Sequence, residues 1–210
     1  MAVCRFLGNM CIEFITGNNH FIIDPNYIKE PKTEIKQIFF TQISKDHFDL
    51  YKVKRILEKA NLDKNERVEI FGPNTLIDHI PEMNPDVLKE GQKIMFEDGF
   101  VEVYNADCFQ VDKCYGYLVS VNDTRILHTS TSSNFSAGLT DVKDIDYCFI
   151  SCNEEQFKNY EAYLKRIKPR TVIPYNYNPD NVEPANRFKY HMEVHDLNAL
   201  LLEPGNELTI

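Results

Sequence analysis

The residues best suited to chemistry form one short segment, residues 41–49, which follows an apolar stretch and opens a predicted helix. Gln42, Ser44 and Asp46 alternate along it, and residues two apart on an extended chain point to the same side. His47 is expected to enter from the first turn of the helix. An amide, a hydroxyl, a carboxylate and an imidazole at the end of a strand predict a polar site built on loops at the mouth of a sheet.

The apolar pattern around this segment predicts short strands with interspersed helices. Turn residues at 17–19 and at 122–123 predict two hairpins. The order of elements favours a layered α/β sandwich over a doubly wound parallel sheet, and residues 1–210 are expected to form one domain. Predicted strands cover residues 11–16, 20–24, 35–41, 67–71, 93–97, 100–106, 115–121, 125–129, 145–151, 170–175 and 207–210, and predicted helices cover residues 49–60, 154–167 and 197–202.

The chain is acidic, because its 210 residues include 23 Lys plus Arg and 32 Asp plus Glu, a net charge of −9. This balance disfavours a nucleic-acid partner and an anionic membrane, since both are bound mainly through basic surface. No stretch approaches the roughly 20 apolar residues that span a bilayer, and we expect a cytoplasmic protein. The 6 cysteines include no CxxC pair, so we expect buried thiols rather than a structural zinc site.

Residues 42–47 stand as Gln-x-Ser-x-Asp-His, and here the sequence resembles the metallo-β-lactamase fold superfamily, whose motif is His-x-His-x-Asp-His after an apolar strand. The continuation DHFDL is similar to the branch of small metal-dependent hydrolases that includes L-ascorbate-6-phosphate lactonase. The resemblance implies a four-layer αββα sandwich with a binuclear zinc site at one edge, where the metal activates a bridging water. Further matches follow in the family's order: GNMCIEFITGNNHFIIDPN, IFGPN, VEVYNADCFQ, GYLVSVNDTRILHTSTSS, YEAYLKRIKPRTVIPYNY and LLEPGNELTI.

Carried over position by position, the resemblance keeps Asp46 and His47 as a remnant metal site, with Asp46 as the candidate catalytic residue. Neutral amides and hydroxyls are weak zinc ligands, but they donate and accept hydrogen bonds. We therefore expect a former metal cleft cross-linked by hydrogen bonds, in which Asp46 and His47 pair with each other or with Gln42 and Asn176. The replaced ligands are Gln42, Ser44, Cys108 (or Asp107 if the alignment slips by one), Ser130 and Asn176.

The function expected from these losses is binding or assembly with little or no hydrolysis and no tightly bound metal. The partner would be a small molecule or a protein, a further copy of this chain included. The alternative is an active hydrolase of a lactone or phosphoester-type small molecule. It would use one weakly held zinc or other divalent metal near Asp46 and His47, with Asp107, Cys108 or His128 as borrowed ligands.

Each candidate also has a purely structural interpretation. Asp46 and His47 would be a helix cap and a satisfied buried histidine. Cys108 would be a buried thiol, and His128 would belong to the core. The remaining histidines are expected in loop or surface positions unrelated to the site: His20, His79, His191 and His195.

Overall fold

The computed structural model describes residues 2–60 and 67–210 and consists mainly of short strands. The hairpins predicted around residues 17–19 and 122–123 are present, because turn residues there interrupt runs of residues that favour the extended chain. The strands are β1 (Val3–Gly8), β2 (Cys11–Ile15), β3 (His20–Ile23), β4 (Gln37–Phe39), β5 (Glu69–Gly72), β6 (Asp86–Val87), β7 (Lys93–Phe96), β8 (Gly99–Cys108), β9 (Cys114–Val121), β10 (Thr124–His128), β11 (Ser132–Asn134), β12 (Tyr147–Ser151), β13 (Thr171–Tyr175) and β14 (Glu207–Thr209).

Two mixed sheets pack face to face. One has the strand order β14-β1-β2-β3-β4-β5-β6, and the other has the order β11-β8-β9-β10-β12-β13, with β7 paired to β8. Side chains of both sheets share one apolar core, in which the rings of Phe39 and Tyr117 lie 5.8 Å apart. Successive side chains of a strand point to opposite faces, so Ile38 lies on the outer face of the first sheet.

Helices cover both outer faces, which gives the four-layer αββα arrangement that the resemblance implies. Val53 and Ile56 of the first helix pack against Ile38, while Leu164 and Phe188 of two later helices pack against the second sheet. The helices are α1 (Leu50–Lys59), α2 (Ala137–Asp141), α3 (Phe157–Ile167) and α4 (Glu183–Glu193), with 3-10 turns at Asn74–Leu76, Pro81–Met83 and Glu154–Gln156.

The prediction of a helix at residues 197–202 is wrong, because this segment is extended along the edge of the second sheet. Ala199 forms a parallel bridge with Val172, and the free edge of β13 offers backbone partners that an isolated segment lacks. Asn198 accepts from the N–H of Val172 at 2.8 Å, and Leu200 donates to the carbonyl of Val172 at 2.9 Å. Pairing with the sheet edge therefore overrides the local helix pattern.

Helix α4 is not among the elements predicted from the sequence. It carries His191, and His195 follows its C-terminal end. Ala185, Phe188 and Met192 are buried along it, and their spacing of three and four residues is the pattern of an amphipathic helix. Pro184 in its first turn is a further helix-start signal. In the part of the chain that the structure describes, no helix is long and apolar enough to cross a membrane.

Candidate functional site

The segment that carries the motif is a turn rather than an extended strand end. The backbone N–H of His47 donates to the carbonyl of Ser44 at 3.0 Å, and the helix begins only at Leu50. Asp49, not Asp46, is the N-cap, since its carboxylate accepts from two N–H groups of the first helical turn. The predictions that His47 lies in the helix and that Asp46 caps it are therefore wrong.

His47 is fully buried, and both of its ring nitrogens have protein partners. Nδ1 lies 2.6 Å from Oδ2 of Asp24, and Nε2 lies 2.7 Å from the amide nitrogen of Gln42. A carboxylate can only accept, so Nδ1–H donates to Asp24, and Nε2 accepts from the Gln42 amide. This arrangement occupies the lone pair of Nε2 that a metal would need. His47 thus pairs with Gln42, as one of the predicted alternatives had it, but its second partner is Asp24.

Asp24 is the residue of this site that sequence analysis missed. It follows β3, is fully buried, and has a left-handed backbone with φ of 48°. Its Oδ1 accepts from the backbone N–H of Thr41 at 2.7 Å, and its Oδ2 accepts from the Thr41 hydroxyl at 2.6 Å as well as from His47. The available signal was an acidic residue at the end of the apolar run HFIID, where a charge persists only when it is hydrogen-bonded.

Ser130 ties the motif to the second sheet. Its hydroxyl donates to the Thr41 hydroxyl at 3.0 Å, and its backbone N–H donates to Nδ1 of His128 at 3.2 Å. Its carbonyl accepts from the Tyr175 hydroxyl at 2.8 Å. Nε2–H of His128 donates to the carbonyl of Met10 at 3.0 Å. Burial lowers the pKa of His128 below its ordinary value, against a smaller opposite effect of the Asp24 charge.

His128 therefore lies in the core with both ring nitrogens paired, as the structural interpretation of that residue had it. These contacts remove it from the list of borrowed ligands, because a metal would have to displace one of them. Ser130 is equally closed to the cleft. It is fully buried, with its hydroxyl 3.3 Å from the sulfur of Cys114.

The position of the third family histidine falls on a disulfide. Cys108 at the end of β8 is bonded to Cys114 at the start of β9, so the prediction that these two are free thiols is wrong. The alternative residue, Asp107, is exposed, and its Oδ2 accepts from the Asn134 amide at 3.1 Å. The prediction of buried thiols holds for the four other cysteines, namely Cys4, Cys11, Cys148 and Cys152.

A cleft of about 750 Å³ opens beside this network. Gln42, Ser44, Asp46 and Asn176 line it, while His47 lies fully buried among its hydrogen-bond partners. The structure thus brings four of the carried-over positions to one open surface and leaves the others behind it. The remaining lining side chains are mostly amides, hydroxyls and aromatic rings: Lys45, Phe109, Val111, Thr131, Ser133, Ser151, Cys152, Asn153, Glu155, Gln156, Tyr160, Tyr177, Asn178, Asn181 and Pro184.

Gln42 is the link between the buried network and the cleft. Its amide nitrogen serves His47 and also donates to the Thr131 hydroxyl at 2.7 Å. Its Oε1 is buried and has no hydrogen-bond partner among residues 2–60 and 67–210. An orphaned buried acceptor of this kind costs free energy.

Comparisons with known proteins identify the fold. No protein-family model matches the sequence, but solved structures do. The metallo-β-lactamase fold protein YhfI from Bacillus subtilis matches with a TM-score of 0.80 at 9% identity, over 100% of both chains. Igni18, a metallo hydrolase from the archaeon Ignicoccus hospitalis, matches with a TM-score of 0.76 at 12% identity, over 100% of this chain and 98% of that one.

A third match is a protein from Parabacteroides distasonis for which metal-dependent hydrolysis has been suggested. It has a TM-score of 0.73 at 16% identity, over 94% of this chain and 91% of that one. Identities this low establish the architecture and leave the chemistry to be argued from the residues. The chain therefore has the metallo-β-lactamase fold, as the resemblance of residues 42–47 implied.

Proposed function

We propose that this protein binds a small, polar and largely uncharged molecule in the cleft and that it does so without a zinc-activated water. The observation on which this rests is the saturation of His47, whose two ring nitrogens are 2.6 Å from Asp24 and 2.7 Å from the Gln42 amide. A histidine that ligates a metal must present one unprotonated nitrogen to it. Here that nitrogen is already an acceptor inside the protein.

The other donors do not fit a binuclear zinc centre either. Cys108 is held in a disulfide, and the Ser130 hydroxyl is committed to Thr41. Gln42 and Asn176 offer neutral amides, which zinc binds weakly. Asp46 is left as a single carboxylate at the cleft surface without a strong neighbouring ligand from the family's set. The cleft therefore lacks the ligands that a metal-activated reaction step would need.

The lining supports a neutral, hydroxyl- or amide-bearing ligand. Amide side chains both donate and accept, so they complement hydroxyl groups better than they complement a full charge. The charged lining residues, Lys45, Asp46 and Glu155, sum to a net charge of −1, which disfavours an anionic ligand. Phe109 is 78% exposed at the rim and supplies an apolar face. The cleft volume lies within the range of about 300–1,000 Å³ that is usual for small-molecule sites.

Ligand binding is testable with the chelator-treated full chain. Thermal shift followed by calorimetry on neutral sugars and polyols, each paired with its phosphate ester, should give saturable binding of neutral compounds. Phe109→Ala should weaken that binding about fivefold, since an aromatic contact is worth roughly 1 kcal/mol. Tyr51→Ala is the matched control, because Tyr51 is an equally exposed aromatic residue, at 68%, outside the cleft. A preference for the phosphate esters, or equal losses in both variants, contradicts the proposal.

The hydrolase alternative requires His47 to release Gln42. It predicts zinc-stimulated turnover of lactone or nitrophenyl phosphate substrates that Asp46→Asn abolishes. We expect no metal-dependent turnover in the unmodified chain or in Asp46→Asn. Metal-stimulated hydrolysis that depends on Asp46 would establish the alternative and reject the binding function.

We also place this function in the cytoplasm. Four cysteines are free and buried, a usage typical of proteins in reducing compartments. The Cys108–Cys114 bond is the opposing observation. Fractionation of its source cells should recover the protein in the cytosolic fraction; recovery in an exported fraction contradicts the cytoplasmic placement.

A further inference from the structure

A further group of metal-ligating side chains lies between α3 and the end of α4, outside the lining of the cleft. Glu161, His191 and His195 place one ligand atom each within 4.8 Å of the others. Oε2 of Glu161 is 3.0 Å from Nε2 of His191 and 3.5 Å from Nε2 of His195. These two histidines lie outside the cleft, as expected, but they are clustered with each other rather than scattered.

The spacing of these atoms matches a tetrahedral metal site. Zinc bonds of about 2.0 Å to nitrogen and carboxylate oxygen put neighbouring ligand atoms roughly 3.3 Å apart. The distances from Glu161 Oε2 to the Nε2 atoms of His191 and His195, 3.0 and 3.5 Å, lie on either side of that value. Two imidazoles and a carboxylate also form a donor set that suits zinc better than calcium or magnesium, because those two metals prefer oxygen ligands.

Hydrogen bonds to the outer nitrogen and ring packing hold the two imidazoles in place. Nδ1 of His195 lies 2.8 Å from the carbonyl of His191. A carbonyl only accepts, so Nδ1 carries the proton and the lone pair of neutral His195 is on Nε2, which faces the cluster. The ring of His191 packs at 5.5 Å from that of Phe157. Donation of the outer Nδ1–H to a backbone carbonyl, as in His195, is the arrangement that metal-ligating histidines usually show.

The carboxylate keeps one oxygen for this purpose. Lys165 donates to Oε1 of Glu161 at 2.7 Å and leaves Oε2 to the two histidines. The hydrogen bond from Lys165 is the largest cause that lowers the pKa of Glu161, and the hydrogen bond from His191 acts in the same direction. The carboxylate is thus charged at neutral pH, as a metal ligand must be.

We propose that Glu161, His191 and His195 form a binding site for a divalent transition metal of the zinc class, with Oε2 and the two Nε2 atoms as ligands and water completing the shell. On binding, the ion takes the place of the hydrogen bond between Oε2 of Glu161 and Nε2 of His191. It joins α3 to the C-terminal end of α4, two elements that pack on the second sheet, and so stabilises the native state. The site is separate from the cleft and does not depend on the function proposed for it.

The test is a titration of the chelator-treated full chain with Co²⁺, read by visible absorption, and with Zn²⁺, read by calorimetry. We expect one ion per chain and the absorption of a four-coordinate Co²⁺ site. His191→Ala and His195→Ala should each weaken binding by at least about tenfold, since loss of a residue that merely orients a ligand already costs 10–100-fold.

Two matched controls separate this site from other positions. His79→Ala removes an exposed histidine whose ring lies 5.8 Å from that of Phe48, and Asp46→Ala removes the carboxylate of the cleft. Both should bind metal as the unmodified chain does, and zinc should raise the melting temperature of both but not that of His195→Ala. Absence of uptake overturns the proposal. Uptake that survives His195→Ala and disappears in Asp46→Ala also overturns it and would instead place a metal in the cleft.

Discussion

Two histidine–carboxylate pairs in this molecule have the same chemistry and opposite surroundings. Asp24 and His47 are both fully buried, and every ring nitrogen and both carboxylate oxygens have protein partners. Glu161 and His191 are 18% and 23% exposed, and a second imidazole approaches the same oxygen. The contrast indicates that the type of a residue alone does not make it a metal ligand. A histidine can bind a metal only where the surrounding fold leaves the lone pair of one ring nitrogen accessible.

The largest expected contrast is in stability. Asp24→Ala leaves His47 and two groups of Thr41 without their acceptor in the core, so we expect a loss of about 3–5 kcal/mol in the free energy of unfolding. Glu161→Ala removes the same kind of group from the surface and should cost less than about 1 kcal/mol. Urea unfolding of both variants without metal measures the difference.

Asp24→Asn refines this comparison, because Asn tolerates the left-handed backbone at φ 48° and retains one acceptor oxygen. It should be less destabilising than Asp24→Ala. Similar losses in Asp24→Ala and Glu161→Ala would show that the buried pair contributes no more than a surface ion pair.

The next effect concerns the disulfide behind the cleft. Cys108 and Cys114 close a loop with a sequence separation of 6, for which the chain-entropy estimate is about 2 kcal/mol. We expect the urea midpoint to fall on addition of dithiothreitol. The Cys108→Ala/Cys114→Ala double variant should not respond to the reductant; a response there would point to another bond.

The buried side of the comparison also predicts a pH dependence. Burial holds the pKa of His128 below its ordinary 6.5, so below pH 6.5 the unfolded chain binds more protons at this residue than the native protein does. The free energy of unfolding should therefore fall as pH drops below 6.5, with a slope from His128 of at most about 1.4 kcal/mol per pH unit, and this component should be constant above pH 7.

Urea unfolding at pH 7.5, 6.5 and 5.5 measures that slope. His128→Gln should reduce it, and His79→Gln, at an exposed histidine, should not. A slope that is the same in all three proteins would mean that His128 takes up its proton as readily in the native state as in the unfolded chain.

The smallest effect is expected at Gln42. Gln42→Met removes the donor to His47 and to Thr131, but it also removes the unpartnered Oε1. These contributions oppose each other, and the net loss should be about 1 kcal/mol. Ser44→Ala, at a half-buried position of the same loop, should change stability by less. A loss above about 3 kcal/mol at Gln42 would show that its oxygen is satisfied by bound water.

Local sequence was sufficient for most of the secondary structure. The hairpins were predictable because turn residues interrupt apolar runs. The helix at α1 was predictable because Val53 and Ile56 share a face. The failure at residues 197–202 has a non-local cause, since Ala199 is held by Val172 of the sheet edge. In contrast, α4 was missed although Ala185, Phe188 and Met192 carried the signal.

Sequence alone was enough to predict the fold: the apolar pattern predicted a layered α/β sandwich, and the resemblance of residues 42–47 implied the metallo-β-lactamase architecture that the solved structures share. It also determined which residue types replaced the family's ligands. Only the tertiary structure decided what those residues do. Asp24 meets His47 across 23 positions of the chain, and Glu161 meets His191 across 30. No local pattern encodes such contacts, because hydrogen-bond partners are selected by the packing of sheets and helices rather than by neighbours in sequence.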